Sequence, residues 1–126
     1  MRKMTTAFLI LALLIAGWVT ESVALGTMSK NMTEKLDMVC AALESDNFSE
    51  AAILTDDFCD SWYKSESWVA MLATHDTVDE ISRNAAKMKT YSKSGGKDDS
   101  IATVSETKEL LNELERKTHV NLMNIF

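Results

Sequence analysis

Three features of this sequence predict an all-α fold, an antiparallel three- to four-helix bundle behind an N-terminal signal peptide or membrane anchor. Among 126 residues there is no proline and there are only four glycines, which removes most of the turn chemistry that a sheet-rich fold needs. Beyond position 27 the apolar residues recur at steps of three and four, the period of one helical face. A basic start followed by a charge-free apolar run heads the chain.

That start is Met1-Arg2-Lys3, followed by apolar residues from Ala7 to Val19 and by the small residues Ser22-Val23-Ala24 that a signal peptidase reads. From Thr5 to Thr20 only 16 residues lack charge, whereas a spanning helix usually takes about 20. Length therefore favours a cleaved signal. Glu21 beside the cleavage site, and the ability of a short span to thin the bilayer, keep an uncleaved anchor equally open. In both cases the basic end stays inside and the rest faces out. Residues 1–24 are read as signal peptide or anchor and 25–126 as one helical domain, secreted or held on the outer face of the cytoplasmic membrane. Membrane association would run through residues 5–20.

Past Ala24 there are 11 Lys and Arg against 18 Asp and Glu, a net charge of −7. Nucleic acid and anionic lipid headgroups both need a clustered positive face, so diffuse negative charge argues against either as a partner.

Met28, Met32, Leu36, Val39 and Leu43 form one stripe on a helix from about Thr27 to Ser45. Asp46-Asn47 are turn formers, and a second stripe follows with Phe48, Ala52, Thr55, Cys59 and Trp62, continuing through Trp68, Met71 and Leu72 toward His75. So short a connection makes these two helices an antiparallel hairpin. Thr77 with Glu80 three residues on matches a capping box, which starts a third helix near Thr77 with Val78, Ile81, Ala85 and Met88 on its apolar face. Ser94 to Asp99 reads as a flexible polar loop, and a fourth helix runs from about Ser100 to Thr118 on Ile101, Val104, Leu111 and Leu114. The apolar Leu122, Ile125 and Phe126 are expected to dock on the bundle.

Trp62, Trp68, the segment His75-Asp76-Thr77-Val78-Asp79-Glu80-Ile81 and the terminal Asn124-Ile125-Phe126, behind a basic-then-apolar start, together resemble the domain of unknown function 4363 family. That resemblance covers nearly the whole chain. It implies a small exported or membrane-anchored helical protein of Gram-positive Firmicutes, and it brings no activity, substrate or cofactor.

His75 and Asp79, at i, i+4 spacing on an unbroken helix, could face one ion, with Asp76 and Glu80 beside them. The same acidic residues also suit a helix N-terminus, which needs no ligand, and this bland reading is preferred. Cys40 and Cys59 lie about six residues out of level across the hairpin, roughly 9 Å, too far for a disulfide, so both are read as free thiols in the core. Trp62 and Trp68 are about 120° apart around a helix, so one can fill the core while the other faces a partner. The candidate interaction surface is accordingly Trp62, Trp68 and His75. No nucleophile elbow and no phosphate-binding loop occurs, so no catalytic residue, no resident metal and no cofactor is assigned, and the chain is not read as an enzyme. An envelope hydrolase using the carboxylates is the weakest reading, since acid–base work needs a cleft. The expected function is a noncatalytic interaction or structural role in the bacterial cell envelope, with an envelope protein as partner. The alternative is an extracytoplasmic metal or small-ligand binding protein centred on His75 and Asp79.

Overall fold

The structure, a computed structural model, describes residues 2–125, and describes side chains for all of these except 21–22 and 118–125. Four helices follow one another: α1 Arg2–Glu44, α2 Phe48–Leu72, α3 His75–Ser94 and α4 Lys97–Ile125. Each packs on the next, and α4 returns against α1, which closes an up-and-down four-helix bundle.

The connections are short because each is closed by specific backbone chemistry. At the end of α1, Asp46 takes a left-handed conformation (φ 59°), and the N–H groups of Asp46 and Asn47 donate to the carbonyls of Leu43 and Ala42. Asn47 then caps α2: its side chain accepts from the Glu50 N–H and donates to the Glu50 carboxylate. The α3–α4 connection closes the same way. Gly95 sits at φ 77°, where a side chain would be strained, and the Gly96 N–H donates to the Tyr91 carbonyl.

Two boundaries differ from the sequence reading. The third helix begins at His75, with Thr74 as its first capping residue, so Thr77 is not the cap; it is buried in the first turn, and its hydroxyl pairs with that of Thr74 at 3.2 Å. Extended backbone at Ala73 and Thr74 sets the cap three residues earlier than the capping-box pattern does. The six-residue polar loop at 94–99 contracts to the turn at Gly95-Gly96, because Asp98 and Asp99 sit in the first turn of α4, where the helix dipole favours carboxylates.

Helix α1 is a single element of 43 residues, twice the expected length. Its described side chains from Arg2 to Thr20 lie exposed, Trp18 alone being half-buried, whereas Leu25, Met28, Met32, Leu36, Val39 and Leu43 enter the core. α2 adds Ala51, Phe58, Cys59, Trp62 and Val69; α3 adds Val78, Ile81, Ala85 and Met88; α4 adds Val104, Leu110, Leu111 and Leu114. Phe48, assigned to a core stripe by periodicity, stays 41% exposed because it stands on the first turn of α2, beside the turn that closes the hairpin at the end of the bundle. α4 continues as helix to Ile125 instead of stopping at Thr118, and the side chains of Leu122, Ile125 and Phe126 lie outside the described residues.

The register of the bundle follows from side-chain pairs. Lys35 bonds Asp57 at 2.6 Å, each residue eleven positions from Asp46, so α1 and α2 run level from their shared turn. Against α4, Lys97 reaches Asp46 at 2.8 Å, Lys108 pairs with Asp37, and the Ser29 hydroxyl donates to the Leu111 carbonyl at 3.3 Å.

Candidate functional site

The acidic cluster sits on the opening turns of α3. His75, Asp76, Asp79 and Glu80 are all exposed, and His75 and Asp79 are one turn apart on the same helix. Among the described residues no three His, Cys, Asp or Glu side chains converge in a way that could hold a metal ion. Thr74 makes no side-chain cap to this helix, so Asp76 in the first turn is the group that meets its positive end.

The two tryptophans part company. Trp62 has no exposed surface, and its indole N–H donates to the Ser82 hydroxyl at 2.9 Å, which itself donates to the Glu66 carboxylate at 2.8 Å. This relay ties α2 to α3 and takes Trp62 out of the candidate interaction surface: a side chain enclosed on every side meets no partner. Trp68 is half-buried against the core near the end of α2, and three residues later Met71 is 85% exposed, more than any other large apolar side chain among the described residues. The corner where α2 turns into α3 thus brings together Trp68, Met71 and His75.

Both cysteines are free thiols. Cys59 is enclosed, donates to the Ala85 carbonyl at 3.3 Å, and has its thiol pushed up to about 11, chiefly by burial. Cys40 is half-buried beside Glu44, and burial and then that carboxylate raise its thiol as well. Reactive cysteines need the opposite environment, one that favours the thiolate.

Two shallow grooves mark the bundle surface. One, between α1 and α2 near their turn, is lined by Met38, Ala41, Glu50 and Leu54, with Ile53 exposed nearby. The other, between α1 and α4, mixes Lys30, Glu34, Lys108, Glu109 and Glu115 around Gly26 and Ser29. In the second groove the Ser29 and Thr33 hydroxyls donate to the Leu111 and Ser29 carbonyls and not to a side-chain base. Sequence periodicity had no means of finding these grooves, since each is formed between two helices whose relative placement a single helix's pattern does not give.

Asn84 is the one buried amide in the α3 stripe, 3% exposed, with no partner for its Nδ2 among the described atoms. Nothing in the sequence distinguished it from a surface asparagine.

No curated protein and no solved structure matches the chain. A family model does, over residues 19–125, taking in the four packed helices and only the last two residues of the charge-free run. The chain belongs to the family described as Domain of unknown function (DUF4363).

Proposed function

We propose that this protein is a noncatalytic interaction module of the bacterial envelope, held by the first half of α1 in the cytoplasmic membrane with its acidic bundle outside. One observation carries this reading: α1 passes without a break from a stretch that is apolar on all sides and exposed to a stretch that is apolar on one buried stripe. A helix apolar all round belongs in lipid, and a striped one belongs on a core. Arg2 and Lys3 ahead of the run give the inside-to-outside direction.

The same continuity favours an anchor over a cleaved signal. A cut after Ala24 would fall inside helical backbone and would leave Leu25, a core residue 3% exposed, as the new terminus. A noncatalytic role is supported by the exposure of the acidic cluster on α3 and by an environment that raises both thiols and so disfavours the thiolate, with Cys59 enclosed as well.

The test is crosslinking in intact cells of the tagged full chain, followed by carbonate extraction of membranes and mass mapping of the N-terminus. The expected result is a carbonate-resistant protein beginning upstream of Thr5 and crosslinked to another envelope protein. A soluble product beginning at Leu25 would overturn the anchor, and recovery without any partner at every crosslinker length would overturn the interaction role.

A further inference from the structure

Resting on the anchored reading, we infer that the bundle has no stalk and sits flush on the bilayer, with the α2–α3 corner, Trp68, Met71 and Leu72, immersed in the lipid interface. The register places it there. Lys35 and Asp57 stand at equal distances from the turn at Asp46, so Leu72, 26 residues after that turn, lies level with Thr20, 26 residues before it. Thr20 is where the charge-free run of α1 ends. The opposite side of α1 agrees: Gly26 lies against the Glu115 side chain, and the helical backbone of α4 continues ten residues beyond Glu115, to the level of Ala16. Helix α2 therefore ends, and α4 passes, at the plane where the proposed span leaves the hydrocarbon.

The chemistry of the corner fits a lipid interface. Met71 is 85% exposed, more than any other large apolar side chain among the described residues, and it adjoins Leu72 and the half-buried Trp68 at the corner. Trp68, half-buried, and Trp18 near the end of the span are the residue type that collects at the headgroup level. The charge-free run is also short. From Met4 to Thr20 the uncharged helical residues cover about 26 Å, against a hydrocarbon thickness of about 30 Å. A deficit of about 4 Å draws flanking apolar groups down to the membrane, and Met71 and Leu72 are at the level to meet it. Asp76 and His75 begin α3 just beyond, exposed, where the hydrated headgroup layer accommodates charge.

Nitroxide accessibility on the full chain tests this. Met71→Cys, Ile53→Cys and Leu11→Cys are each made in a Cys40→Ala parent that itself takes up no label. Each protein is spin-labelled and reconstituted into vesicles of phosphatidylcholine and phosphatidylglycerol. Ile53, 69% exposed, stands about 28 Å farther from the bilayer along α1 and is the aqueous reference; Leu11 lies inside the proposed span. The expected result is an oxygen-to-nickel-chelate collision ratio at Met71 at least about threefold above that at Ile53, with Leu11 higher still. A lipid-like Leu11 with Met71 indistinguishable from Ile53 overturns the flush docking and leaves the anchor standing. An aqueous Leu11 overturns both. A label at Met71 that is immobilised and shielded from oxygen and nickel alike means that protein covers the corner, which also overturns the lipid assignment.

Discussion

Replacing Ser82 with alanine removes the hydroxyl that joins Trp62 to Glu66, and the loss can be sized from the structure. Trp62 is fully enclosed, so without Ser82 its indole N–H is left with no acceptor and no water. An orphaned buried donor costs about 1–3 kcal/mol. Glu66 also loses the hydroxyl at 2.8 Å, but it is half-exposed and recovers hydration, so its contribution is the smaller. The expected destabilisation is about 2 kcal/mol, a drop of about 1 M in the urea midpoint for a domain of this size. The assay is urea unfolding of the full chain in a mild detergent, followed by circular dichroism, with Trp62→Phe as second background. Phenylalanine has no donor to orphan, so there Ser82→Ala should cost under about 1 kcal/mol. Equal losses in the two backgrounds, or a loss below about 0.5 kcal/mol in the native one, would refute the relay as a source of stability.

Three further outcomes are expected. Burial holds the Cys59 thiol at about 11 against an ordinary 9.0, so its contribution is fully present below about pH 9. It is lost as the pH rises through about 11, up to roughly 3 kcal/mol in all, with Cys40 and Tyr63, also raised, adding in the same direction. Urea midpoints that stay flat from pH 9 to 11, or that fall equally in Cys59→Ala, would contradict this. In the native protein at neutral pH a maleimide should label Cys40 well before Cys59, and mass spectrometry of timed digests reads the order. Leu36→Ala, at a site with no exposure where α1 meets the rest of the core, should cost about 2–5 kcal/mol, whereas Ile53→Ala on the open face of α2 should stay within about 0.5 kcal/mol, both by urea unfolding.

Much of the bundle was legible because its determinants are local. The stripe Met28, Met32, Leu36, Val39 and Leu43 is wholly buried, and so are Val78, Ile81, Ala85 and Met88, since a 3.6-residue period reports directly which face a helix hides. The turn at Asp46-Asn47 was readable for the same reason: both residues are there for what their side chains and backbone do within four positions. Tertiary placement was not readable. Ser100, Thr103 and Thr107 are polar by type, yet they are buried along α4, where Thr103 and Thr107 turn their hydroxyls back on carbonyls four residues earlier. Trp62 shares the buried face of α2 with Thr55, Cys59 and Val69 while Trp68 lies off it, and the Ser82 partner of the enclosed indole comes from a neighbouring helix that the sequence does not place. The family resemblance of the sequence was confirmed by the match over 19–125, but a family without an assigned activity locates no site.

The boundary between anchor and domain is where sequence and structure differ most in kind. Read by composition, Ala24 divides two segments with separate fates. In the structure no joint exists there: backbone hydrogen bonds run through, Gly26 packs against Glu115, and Leu25 already belongs to the core. Nor does either glycine of α1 interrupt it, since both Gly17 and Gly26 lie within the helix. A continuous helix transmits rotation and tilt, so on the proposed reading the span and the core face of α1 are fixed to each other. A flexible linker would leave the bundle free to present any face to the membrane. On the proposed reading a single helix permits one orientation, with the corner at Met71 toward lipid and the turn at Asp46 away from it. On that reading the groove at Met38 and Leu54, beside the far turn, faces water and not lipid.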